Sequence, residues 1–154
     1  MSYPQQLTPE QKLAEAKQHL SIPHIVVICG STRFMAEMAQ ADLRETVAGR
    51  IVVKPGFDMK SPHGLSTDPA DAEAEVDAQT QTQTHTHTQV QALKVRLGEL
   101  HRAKIRLADE VLIVGDYIGD STRAEIAYAR SLGKPVRFTH PEVAHDSCPM
   151  RHDP

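Results

Sequence analysis

The chain has 154 residues, 40% of them apolar, with a formal charge of −3. That length suits one domain with a core of its own, needing neither disulfides nor metal. The charge balance leaves no basic footprint for a nucleic-acid polymer, and no apolar run approaches a membrane span. The N-terminal MSYPQQLTPEQ lacks an apolar signal core, and two cysteines, Cys29 and Cys148, make no disulfide framework. A reducing cytoplasm is therefore the expected setting.

In chain order, Thr8-Pro9-Glu10-Gln11 opens a helix through a capping box with proline at the first helical position. This N-terminal helical region occupies 1–22, and Pro23 stops it. HIVVICG (24–30) is a buried strand by its β-branched run. A helix follows from Thr32 to Ala48, with Phe34, Met38 and Ala41 on one face and Gly49 at its end. RIVVK (50–54) is the second strand.

Between about Pro55 and Gln89 the pattern dissolves, and 58–92 reads as a low-complexity insert with little to bury. Leu93, Leu97 and Leu100 then begin a helical stripe running to Leu107, suited to core or to a subunit interface. EVLIVG (110–115) is the third strand, 116–120 a loop, 121–133 a helix capped by Asp120 or Ser121, and KPVRFTH (134–140) the fourth strand. On the last helix Ala124, Ala127 and Tyr128 are read as the packing face. The tail, 140–154, is expected to be loose. The domain core is thus 24–57 plus 93–139.

Alternation of strands and helices predicts an α/β, Rossmann-like fold: a parallel sheet of four to five strands with helices on both faces. Right-handed crossovers place the strands near the order 2-1-3-4. Ligands in such sheets bind beyond the carboxyl ends of the strands where the order reverses. That rule selects the loops Cys29–Phe34 and Gly115–Thr122.

In the first loop Gly30 admits close backbone approach, Ser31 and Thr32 offer hydroxyls, and Arg33 offers a two-pronged donor for an anion. The bland alternative is that Ser31 only caps the helix and Arg33 is solvated. The segment is neither a P-loop nor a dinucleotide fingerprint. In the second loop, Glu125 stands near a helix start whose dipole favours a carboxylate. By spacing alone it either points into the site or pairs with a neighbour such as Arg123. Asp116 and Tyr117 touch a sugar or shape a turn. Phe57 stacks on a base or closes the sheet, and Asp58 stands beside it to bond a base edge. His85 and His87 would share one side of an extended strand, but too few rigid ligands accompany them for a metal site. His145, Cys148 and His152 are read the same way, so no metal and no cofactor are expected.

Together, C-G-S-x-R after the first strand, A-D after the middle helix, and G-x-S-T-x-x-E-I-x-x-A with G-K-P-V resemble the nucleoside 2-deoxyribosyltransferase family. The likeness is closer to its hydrolytic branch, the nucleoside 5′-monophosphate N-glycosidases, and covers about 24–57 and 93–139. It implies that Glu125 attacks C1′ of the sugar, expelling the base and leaving a glycosyl-enzyme ester. It also implies that Gly30, Ser31, Thr32 and Arg33 hold the 5′-phosphate and that Ser121 faces the same pocket. No cofactor is implied; the partners would be a small-molecule nucleotide and a second subunit, in a homodimer or larger oligomer. The aspartate that the family carries before the third strand has no counterpart in Glu99–Lys104. His101 is the nearest substitute as proton donor to the base, against the reading of an exposed helical histidine. Strand one carries Val27 where the hydrolases tend to have an aromatic. The in-class alternative is a deoxyribosyltransferase; the alternative from another class is a non-catalytic nucleotide-binding or sensing module.

Overall fold

The computed structural model describes residues 4–55 and 82–147. Four strands, β1 (Ile25–Cys29), β2 (Ile51–Val53), β3 (Glu110–Ile113) and β4 (Val136–Phe138), form one parallel sheet in the order β2-β1-β3-β4. The helices are α1 (Pro9–His19), α2 (Met35–Val47), α3 (Thr82–Leu107) and α4 (Asp120–Ser131). The fold class and the strand order are those expected. No described helix is long and apolar enough to cross a membrane.

Every residue of β1 is buried, as a central parallel strand requires. Because side chains alternate along a strand, β1 and β3 serve two cores. Val26, Ile28, Leu112 and Val114 pack with Met38 and Ala41 of α2. Ile25, Val27, Cys29, Val111 and Ile113 pack with Ile105 of α3 and with Ile126 and Ala129 of α4. The sheet is therefore covered on both faces. Parity along β1 thus directs Cys29 toward α3 and α4.

Local signals explain the helix starts. Thr8 Oγ1 accepts from Gln11 N–H at 3.2 Å, and Gln11 Oε1 accepts from Thr8 N–H at 2.9 Å, completing the capping box. Ahead of α2 the chain makes a 3-10 turn over Thr32–Phe34 with Ser31 as its cap.

Three expectations are corrected. First, α3 begins at Thr82, not near Leu93. Apolar periodicity starts only at Leu93, but TQTHTHTQ contains no glycine or proline to stop helix propagation toward the N-terminus. Second, α4 starts from Gly119 without a side-chain cap, Asp120 being already helical, and its buried face is Thr122, Ile126 and Ala129. Ala124 and Ala127 are exposed and Tyr128 is half-buried. Third, Pro141–Ser147 forms a 3-10 segment whose Val143 is buried against the α3–α4 side of the sheet.

Candidate functional site

Two glycines set the spacing of the loops at the carboxyl end of the sheet. Gly30 follows β1 with φ +149°, and a Cβ there would lie 2.6 Å from the carbonyl oxygen of Val114. Gly115 follows β3 with φ +101°, and a Cβ there would meet the Phe34 ring at 2.3 Å. The space a side chain would take is filled by protein in both cases. The loop after β1 thus lies on the end of β3, and Phe34 closes over the loop after β3. Gly115 N–H also donates to Thr139 Oγ1 at 3.0 Å, tying this turn to the end of β4.

Between these loops opens a cavity of about 690 Å³. Gly30, Ser31 and Thr32 line one side, and Ser121, Thr122 and Glu125 of α4 line another. Helix α3 supplies a wall with Lys94, Leu97, His101 and Lys104. Tyr117 closes part of the rim. The cavity lies where the sheet order reverses, between the ends of β1 and β3.

At its base stand Glu125 and His101. His101 precedes the buried Ile105 by one turn, so it shares the inward side of α3. Glu125 precedes the buried Ala129 by one turn on α4. The side chain of His101 is 14% exposed and that of Glu125 24%, and His101 Nε2 lies 3.5 Å from Glu125 Oε1. Arg123, the partner that spacing offered for Glu125, reaches Asp120 Oδ1 at 3.3 Å. Beneath them Cys29 is fully buried, with Sγ 3.2 Å from His101 Nε2. Burial, and then the negative charge of Glu125, push the Cys29 thiol well above its ordinary pKa.

Of the residues singled out by sequence, Gly30, Ser31, Thr32, His101, Ser121 and Glu125 line this one cavity. Arg33 is not part of its lining. Its guanidinium stacks 4.3 Å from the centroid of the Tyr117 ring, and the residue is exposed. Asp116 is exposed and also outside the lining. Phe57, Asp58, Cys148 and His152 fall outside the described residues. The backbone at His85 and His87 is helical rather than extended. Sequence reading assigned no role to Cys29, Lys94 or Lys104. Strand parity from Val27 and helical spacing back from Ile105 were the signals that could have brought Cys29 and His101 together.

A carboxylate, an imidazole and hydroxyl groups at the base of a cavity with lysines on its wall can bind an anionic polar molecule. They can also act on an electrophilic carbon next to the carboxylate. No family model, curated protein or solved structure matches the chain.

Proposed function

We propose that this protein cleaves the N-glycosidic bond of a nucleoside 5′-monophosphate, deoxyribose or ribose, with Glu125 as nucleophile. The observation that carries this reading is the position of Glu125. It is a half-buried carboxylate at the base of the cavity, with His101 Nε2 at 3.5 Å. The resemblance of the motifs around Cys29–Arg33 and Gly119–Glu125 to the N-glycosidase branch supports the choice of reaction.

In the proposed mechanism Glu125 faces C1′ of the sugar. As the C1′–N bond lengthens, its electron pair goes to the base and positive charge develops on the sugar. The carboxylate stabilises that charge and then closes on C1′ as an ester. His101 gives a proton to the departing base and takes one from the water that next attacks C1′. Free base and sugar 5-phosphate leave, and Glu125 is restored. Lys94 and Lys104, with the hydroxyls of Ser31, Thr32 and Ser121, provide the anion grip.

The test is incubation with a panel of nucleoside 5′-monophosphates and chromatography for free base. Glu125→Ala is expected to lower release by about 10³-fold or more, as for loss of a covalent nucleophile. Tight binding without release by the unaltered protein would replace the enzyme with a nucleotide-binding module. One observation favours a second reading in the same class. Arg33 lies off the cavity wall, which weakens the case for a phosphate over a free nucleoside. Transfer of deoxyribose to an added acceptor base would identify that transferase.

The same reading includes a homodimer in a cytoplasmic setting. On α3, Val95 and Leu100 are 62% and 52% exposed, apolar surface that a second copy would cover. Sedimentation at micromolar protein is expected to show a dimer; a monomer at all concentrations removes this part.

A further inference from the structure

We propose that Cys29, His101 and Glu125 form a binding site for a divalent metal ion of the zinc class. Their ligand atoms, Sγ, Nε2 and Oε1, are the converging group. Among the described residues, one ligand atom from each lies within 4.8 Å of those of the other two. The separations are 3.2 Å from Sγ to Nε2 and 3.5 Å from Nε2 to Oε1. A tetrahedral ion with bonds of ~2.0–2.3 Å holds its ligand atoms roughly 3.3–3.8 Å apart, close to the separations of Nε2 from Sγ and from Oε1.

Without an ion the three groups share hydrogen bonds: the Cys29 S–H donates to the Glu125 carboxylate, and His101 Nε2 lies within reach of both partners. An ion would take the place of those hydrogens and bind all three atoms at once. A thiolate, an imidazole and a carboxylate together suit a borderline ion such as Zn²⁺ rather than Mg²⁺ or Ca²⁺, which prefer oxygen ligands.

The donors come from three elements packed into one core, β1, α3 and α4, so the site is assembled by the fold. His101 and Glu125 also line the cavity, which provides an entry path and a side on which a fourth ligand can bind. Three protein ligands with one open position is the pattern of a reactive rather than a purely structural zinc site. On binding, the Cys29 S–H bond breaks, a sulfur–metal bond forms and the proton passes to the buffer, with no redox change. The ion occupies the carboxylate that would otherwise attack a sugar. The two uses of Glu125 therefore exclude each other, and metal binding does not depend on the glycosidase reading.

The experiment is titration of the full-length, metal-stripped protein with Co²⁺, read by absorbance. The expected result is a saturable thiolate-to-cobalt charge-transfer band with tetrahedral ligand-field bands, both displaced by Zn²⁺. Cys29→Ser should abolish the charge-transfer band, and His101→Gln should weaken binding at least about 10-fold. Cys148→Ser should change neither. Circular dichroism checks that each variant is folded, and His101, whose side chain is 14% exposed, provides a variant less buried than Cys29. Absence of a charge-transfer band overturns the proposal. So does a band lost in Cys148→Ser but kept in Cys29→Ser, or an unchanged affinity in folded His101→Gln. None of these readouts involves base release, so they stand apart from the fate of the proposed reaction.

Discussion

His101 occupies a position where one imidazole nitrogen lies near both Cys29 Sγ and Glu125 Oε1. Its backbone is on α3 and both partners are on other elements, so its place depends on how α3 lies across the sheet. If it moves protons in the proposed reaction, His101→Asn should slow base release by about 10²-fold, the lower range for general acid–base groups. The release rate of a nucleotide with an easily expelled base should fall less, since that base needs little protonation. Equal losses on both substrates would remove the acid role. Cys29 has a different part. Burial keeps its thiol protonated, so in the metal-free site it is a poor nucleophile despite its chemistry.

Each loop of the site is held by contact with its neighbour rather than by regular structure of its own. Phe34 lies over Gly115, and the β1 loop rests on Val114 through Gly30. Gly115→Ala forces a Cβ into the Phe34 ring at a backbone angle that alanine disfavours. The expected loss is about 2–4 kcal/mol, or a melting point lower by roughly 5–15 °C. Adding Phe34→Leu should recover the steric part and leave the backbone part. A Gly115→Ala protein with unchanged melting temperature would show that the two loops are not interlocked. Helix α2 adds a second device. Its buried Glu45 carboxylate accepts from Arg50 and from Arg137 Nη2, the latter at 2.8 Å, and Arg137 also reaches Glu110 of β3. This network ties α2 to the sheet at the side away from the cavity wall formed by α3.

At the scale of the whole molecule, two paired carboxylates among the described residues, Asp109 and Glu45, contribute to the response to acid. Burial alone would raise the pKa of Asp109, but Ile25 N–H at 2.8 Å and Lys17 Nζ at 3.1 Å outweigh it and the pKa is lowered. Glu45 behaves alike: burial raises, and hydrogen bonds and charge from Arg50 and Arg137 lower by more. A carboxyl group with a folded pKa below its unfolded value stabilises the fold above the unfolded value. That contribution is lost as pH falls through the folded one. Stability should therefore be level near neutrality and decline from about pH 4 downward, where free carboxyls take up protons. Urea midpoints measured across that range check this, and Asp109→Asn with Glu45→Gln should flatten the decline. An undiminished slope in the double variant would assign it to other groups.

The order of elements, the parallel sheet and its 2-1-3-4 arrangement were readable without coordinates. β-Branched runs, apolar spacing and caps act within a few residues, and right-handed crossovers leave few ways to join them. Glu125 could be nominated from its motif and from the rule that ligands bind where a sheet reverses. Spacing could not choose between Arg123 and the site as its neighbour, and it put the packing face of α4 on the wrong residues. The helical start at Thr82 and the anchoring of Val143 were hidden because neither leaves an apolar period. Only the packed chain decided that Arg33 lies on Tyr117 instead of the cavity wall, and that Cys29, His101 and Glu125 meet. Those side chains stand far apart along the sequence, and their meeting is set by how α3 and α4 settle on the β1–β3 face, a matter of long-range packing that no local pattern encodes.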